Sequence, residues 1–193
     1  MAQTIAGFLS GFNGGTRLNR FTVEGSIDSQ GTNTSQTFTE GAAKNMSHFH
    51  IRSASLPESI FGELAINYRG RTVSFPGDRI YKPWNITVLD DVNSRTLHKD
   101  FHDWSNKIND HLTNLNNVSG GELTLSNNFA TNWQVKQYDT DGAAVIKTID
   151  IKNCWPTAVG PIQLDMGQDN TFCSFAVSML FTHAEFTIKD PSS

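Results

Sequence analysis

Charge is scarce in this sequence: Asp, Glu, Lys and Arg make up 18% of its 193 residues, against roughly 25% in ordinary soluble domains. Ser, Thr and Asn are abundant instead, which implies that part of the surface does not face bulk water. There are only two cysteines, Cys154 and Cys173, which excludes a disulfide-built scaffold. The opening MAQTIAGFLSGFNGG lacks the basic region and the longer apolar stretch of a signal peptide, so synthesis in a reducing cytoplasm with free thiols is expected. The sequons at Asn33, Asn45, Asn85 and Asn117 then carry no glycosylation meaning. No apolar run approaches the ~20 residues that span a bilayer, so no membrane insertion is expected. Basic residues number 15 against 19 acidic ones, a formal charge of −4. That balance argues against gripping nucleic acid through phosphate neutralisation, which needs clustered Lys and Arg.

What is present fits one globular domain over residues 1–193, since 37% of the chain is hydrophobic before its 15 glycines are counted. Residues 1–16, with four glycines, read as an N-terminal arm. A first strand is predicted at 17–27, and residues 25–47, rich in Gly, Ser, Thr, Gln and Asn, as a polar loop or extended hairpin. Strand patterns follow at 48–56 and 63–68. Arg69-Gly70 turns the chain into 72–75, and Pro76-Gly77 suits a type II turn. Another strand is predicted at 84–90. Between 93 and 113 the period becomes 3.6, and Leu97, Phe101, Trp104, Ile108 and Leu112 fall on one stripe, the packing face of a helix laid on a sheet. Strands at 132–138 and 143–154 flank the turn Asp139-Thr140-Asp141-Gly142. Residues 156–167 read as irregular. The segment 171–188 is too long for one flat strand, and its apolar phase shifts, predicting a bulge or bend near Phe181. Residues 189–193 form a tail.

Little in this pattern resembles catalytic machinery. His48-x-His50 puts two imidazoles on one strand face, as in metal-dependent cupin-like barrels, but the next glutamate is Glu58, beyond a proline. His98 and His102 are one helical turn apart, without the H-E-x-x-H arrangement of a zinc hydrolase. Nucleophile elbow, P-loop and dinucleotide fingerprints are all missing. Asp90-Asp91 and Asp139/Asp141 read as a helix entry and a turn. Trp84, Trp104, Trp133 and Trp155 read as core and interface aromatics. The expectation is therefore no catalytic residue, no metal ligand and no cofactor. One cluster stands out: Arg69, Arg71, Asp78, Arg79 and Lys82, opposite charges in a twisted β segment. It reads either as a solvated edge that blocks stray pairing or as a candidate subunit interface whose arginines grip carboxylates on a neighbour.

The order Tyr68-x-Gly70-Arg71, Phe75-x-Gly77-Asp78-Arg79, Trp84 with Thr87-Val88 and Asp90-Asp91, then Phe101-x-x-Trp104 with Ile108-Asn109, resembles the tail tube proteins of contractile-tailed bacteriophages. Val135-x-x-Tyr138-Asp139-x-x-Gly142 and Trp155-Pro156 before a long last strand extend the likeness over about 45–188. The resemblance implies a mainly β protein, an antiparallel β-sandwich or barrel with one flanking α-helix, related to the tubes of type VI secretion and contractile injection systems. It implies a structural, non-enzymic role: homohexameric rings stacked into a tube for DNA ejection in the virion tail. The implied partners are copies of itself, the tail sheath protein, baseplate hub and tail terminator proteins, and the tape-measure protein and DNA in the lumen. Residues 25–47 are the candidate stacking loop. A tube subunit of a tailocin or injection particle is the alternative, and a cupin-like metal enzyme around His48 and His50 the reading from another class.

Overall fold

The computed structural model describes residues 5, 16–27, 36–38, 50–90, 97–115 and 129–188. Most of the expected arm 1–16 and of the segment 25–47, and all of the tail 189–193, lie outside the described residues, as does His48. The elements in chain order are β1 (Phe21–Ile27), β2 (Gln36–Phe38), β3 (Ile51–Ala54), β4 (Ser59–Tyr68), β5 (Arg71–Tyr81), β6 (Trp84–Leu89), α1 (Leu97–Ile108), β7 (Thr131–Tyr138), β8 (Val145–Val159), β9 (Ser174–Leu180) and β10 (His183–Ile188). The fold is mainly β, all its pairings are antiparallel, and a single long helix flanks the sheets among the described residues.

The organising strand is β8. Its first half pairs with β7 on one edge and β10 on the other, and its second half pairs with β9. The resulting sheet runs β2-β1-β7-β8-β9-β6-β3 with β10 beside β8. The corner between the halves is Asn153, in the left-handed region at φ 56°, a conformation that Asn tolerates better than most side chains. Side chains pin it: Asn153 donates its backbone N–H to Asn132 Oδ1 (3.1 Å) and its side-chain amide to Thr182 Oγ1 (3.2 Å), and Thr182 donates its backbone N–H to Lys152 O (3.0 Å). Thr182 belongs to the break between β9 and β10, so the predicted interruption near Phe181 coincides with the corner of β8. The last segment is one path cut in two to follow a bent neighbour.

Alternation along the strands fills the space between the half-sheets. Val23 and Ile27 of β1, Trp133 and Val135 of β7, Ile149 and Ile151 of β8, Phe175, Val177 and Met179 of β9, and Trp84, Ile86 and Val88 of β6 are all buried in one cluster. On α1, Leu97, Phe101 and Trp104 are buried, and Ile108 is half-buried against the cluster. Phe101 meets Phe175 edge-on at 5.9 Å, and Trp104 Nε1 donates to Phe129 O at 2.7 Å.

Three expectations need correction. Leu112 does not share the helix stripe, being 83% exposed. The helix ends at Ile108, and Asp110 then accepts the Leu112 N–H (3.1 Å) and the Thr113 hydroxyl (2.8 Å), a side-chain turn that leads the chain off the sheet. Pro76-Gly77 is not a turn, because β5 runs through it to Tyr81. A two-stranded ribbon leaves one edge of each strand free, so proline's missing donor costs nothing there. Gly77 also faces Gly62, and a Cβ at Gly77 would lie 3.0 Å from Gly62 O, so the close approach at this bulge needs glycine. Finally, 156–159 are strand and not irregular chain, with Pro156 opposite Met179 beside a register shift.

Candidate functional site

The ribbon β4–β5 is a sheet of its own, separate from the sandwich. It leaves and re-enters at one place: Ser55 N–H donates to Asn85 O (3.0 Å) on the way out, and Lys82 N–H to Glu58 O (3.0 Å) on the way back. The Trp84 indole donates to Ser55 O at 2.5 Å and packs edge-on against Trp133 at 5.8 Å, tying this root to the core. Ten residues of β4 reach roughly 33 Å at strand rise. The tip turns at Arg69 (φ 49°) and Gly70 (φ 79°), two consecutive left-handed residues as a tight hairpin requires.

Register decides what the ribbon presents. Leu64 pairs with Phe75, Ile66 with Val73 and Tyr68 with Arg71, so these six share one face. On the opposite face of the outer half, around Ala65, polar side chains bond to one another: Thr72 donates to Asn67 (2.7 Å) and Ser74 to the Glu63 carboxylate. The apolar face is uncovered, its large side chains exposed by between 45% (Val73) and 63% (Tyr68). Five such neighbours on an isolated ribbon form an exposed apolar patch of the kind that marks an interaction surface.

The charged cluster lies on this same ribbon and divides into two groups. At the root, Lys82 pairs with Glu58 and the Arg79 guanidinium lies 4.6 Å over the Phe61 ring. At the tip, Arg69 lies 5.4 Å from the Tyr68 ring, and among the described residues neither Arg69 nor Arg71 forms an ion pair. Asp78 is exposed near the bulge. The exposed apolar face, Leu64, Ile66, Val73 and Phe75, is not singled out by the sequence as a surface. Alternation reads identically whether the apolar face meets the chain's own core or another molecule.

Other candidate groups are built differently. His48 is outside the described residues, so the His48–His50 pair has no geometry to describe. His98 Nε2 is 3.1 Å from Gly160 O and its ring packs edge-on against Phe175 (4.9 Å) and His102 (4.6 Å). Desolvation, then the neighbouring His98, lowers the proton affinity of His102, with Asp103 opposing. Among the described residues no group of three or more His, Cys, Asp or Glu is placed to hold a metal. Asp139 keeps its proton affinity low by accepting the Thr140 N–H and hydroxyl, as a turn residue does. Burial pushes the Cys154 thiol up to about 12, while Cys173 is exposed, and both are free. A cleft of about 690 Å³ lies where β1 approaches β3, lined by Leu18, Phe21, Ile51, Ala54, Leu56 and Val135 among others.

A family model described as phage tail tube protein matches residues 16–188. The tail tube protein gp19 of Enterobacteria phage T4 is 29% identical over 137 residues, 71% of this chain and 80% of that protein. The tail tube protein of Serratia phage KSP90 is 24% identical over 132 residues, 68% of this chain and 70% of its own. Among solved structures, a chain of the sheath/tube terminator of an extracellular contractile injection system (PVC) superimposes with a TM-score of 0.62 at 13% identity, covering 91% of this chain and 99% of that one. A chain of the sheath-tube complex of the same system gives 0.58 at 12% identity, covering 97% and 100%. At such identities the shared property is the fold. The family match, by contrast, takes in sandwich, ribbon and helix together, and the chain belongs to the phage tail tube protein family.

Proposed function

We propose that this chain is the structural subunit of the inner tail tube of a contractile-tailed phage, closing into homohexameric rings that stack into a conduit for DNA. The observation that carries this reading is the uncovered apolar face of β4–β5 on a member of the tail tube family. An isolated ribbon with two free edges and five exposed apolar side chains is an aggregation hazard in a solitary protein. It becomes an asset when sister copies cover it. Arg69, Arg71, Asp78, Arg79 and Lys82 then belong to the subunit interface. The partners of the assembled tube are the sheath outside, the baseplate hub and terminator at its ends, and the tape-measure protein and DNA within. Transport past the wall needs no specific grip, and a formal charge of −4 per subunit suits a surface that DNA slides along. The subunit acts by assembly and not by catalysis.

Negative-stain microscopy of the concentrated chain tests the proposal. Rings or filaments are the expected result, and Leu64→Glu with Phe75→Glu reduces them to single subunits that remain folded. A wild-type chain that stays monomeric at high concentration overturns it. The fold shared with an extracellular injection system favours one second reading, a tube subunit of a tailocin or injection particle. Particles purified with their tails separate the two: packaged DNA in an attached capsid supports the phage, and a capsid-free particle supports the alternative.

A further inference from the structure

The ribbon has a chemical counterpart elsewhere on the same chain. The segment 160–173 between β8 and β9 leaves Leu164 85% and Phe172 82% exposed, with Met166 exposed beside them. Its charged residues are Asp165 and Asp169 alone, with no Lys, Arg or His in the segment. Asp165 Oδ1 accepts the Gly167 N–H (2.9 Å), and neither acid forms an ion pair among the described residues. The outer half of the ribbon, 64–77, is the mirror case: its charged residues are Arg69 and Arg71 alone, beside exposed Ile66, Tyr68 and Val73.

Three other acids are held in ion pairs. Glu24 pairs with Lys136, Asp103 with Lys99 and Glu58 with Lys82. Position adds a second constraint. The ribbon is rooted at the start of β6, where Ser55 and Lys82 close its base. The acidic segment ends at the far end of β6, where Leu89 pairs with Ser174 and Asp90 N–H donates to Cys173 O (3.0 Å). About 20 Å of strand separates the two ends.

We propose that the β8–β9 segment is the socket that receives the ribbon tip of a second copy, Arg69 and Arg71 pairing with Asp165 and Asp169 while Ile66, Tyr68 and Val73 cover Leu164, Met166 and Phe172. The inference rests on the tube reading above and names the surface that meets the ribbon. Arginine forks on carboxylates fix orientation, and the apolar contacts supply the burial. The ribbon is rooted at one end of β6 and the socket lies at the other, so plug and socket are different surfaces and the proposed contact is heterologous, adding copies head to tail.

The full-length chain tests this by charge exchange. Asp165→Arg with Asp169→Arg raises the critical concentration for assembly at least about tenfold, as does Arg69→Asp with Arg71→Asp, and combining all four restores it. A second measurement uses native Cys173, which is exposed at the end of the segment, while Cys154 is buried. With Thr72→Cys at the tip, mild oxidation of assembled material yields a ladder of covalent multimers on a non-reducing gel, and Cys173→Ser abolishes the ladder. Assemblies that form normally with the reversed acids, or that give no Cys173-dependent ladder, overturn the socket and leave the tube reading standing. A wild-type chain that never associates overturns both.

Discussion

Gly25→Ala probes the joint on which the ribbon's placement depends. An alanine Cβ at this position would lie 2.2, 2.4 and 2.7 Å from the Cδ2, Cε3 and Cε2 atoms of Trp133. Those separations are far inside contact distance, so the indole must move. It has nowhere to go: the ring is 1% exposed, packs against Trp84, and donates from Nε1 to Thr131 Oγ1 at 3.0 Å, whose own hydroxyl donates to Ser26 O at 2.8 Å. Overpacking a rigid core costs about 1–3 kcal/mol, and losing a buried hydrogen bond adds about 1 kcal/mol. Removing a glycine from the unfolded chain returns about 0.4–1 kcal/mol. The net loss of about 2–3 kcal/mol lowers the melting temperature by roughly 5–10 °C for a chain of this size. Urea unfolding followed by tryptophan fluorescence measures it, and Gly25→Ala combined with Trp133→Phe recovers part of the loss because the smaller ring vacates the contact. An alanine variant as stable as the parent would refute the reasoning. Since Trp133 supports Trp84, and Trp84 holds Ser55 at the ribbon root, the same variant assembles less readily at equal folded concentration.

Phe101→Ala removes a fully buried ring that touches Phe175 and Trp104, and costs about 3–5 kcal/mol in a urea titration; a loss under about 1 kcal/mol would mean that α1 is not docked as described. A thiol reagent such as DTNB titrates one equivalent in the folded chain, at Cys173, and a second only in denaturant, because Cys154 is buried with its thiol pushed up to about 12; two rapid equivalents without denaturant contradict the burial. For His102 the sign follows from its lowered proton affinity: the unfolded chain binds this proton at higher pH than the folded chain. Its contribution is therefore fully present above the ordinary value of 6.5 and is lost as pH falls through the lowered folded value. His102→Gln flattens the decline in urea midpoint between about pH 7 and pH 5, and an unchanged slope rules out this histidine as a contributor.

The helix and most strands were legible because their signals are local. A 3.6-residue stripe names Leu97, Phe101 and Trp104 whatever surrounds them, and alternation names Trp84, Ile86 and Val88. Leu112 kept the period but not the helix, because periodicity does not register the side-chain turn at Asp110. Pro76-Gly77 and Pro156 carried turn chemistry into strands, where a free ribbon edge and a register shift absorb the missing donors. Pairing β10 with β8 while β9 pairs with the same edge of β8 farther along depends on the bend at Asn153, a non-local fact. The arginines at 69 and 71 were visible as a cluster, yet the apolar face beside them looked like any half-buried strand. Its exposure is a property of the whole fold, as is the distance between the ribbon root and the acidic segment.

The corner at Asn153 has a mechanical consequence. One unbroken backbone, β8, is hydrogen-bonded into both halves of the sandwich, and side chains from β7 and from the β9–β10 break lock its bend. The halves therefore have no hinge between them, and prying them apart means shearing several ladders at once. A subunit made this way behaves as a stiff brick, and in the proposed tube any bending or stretching falls to the mortar between copies.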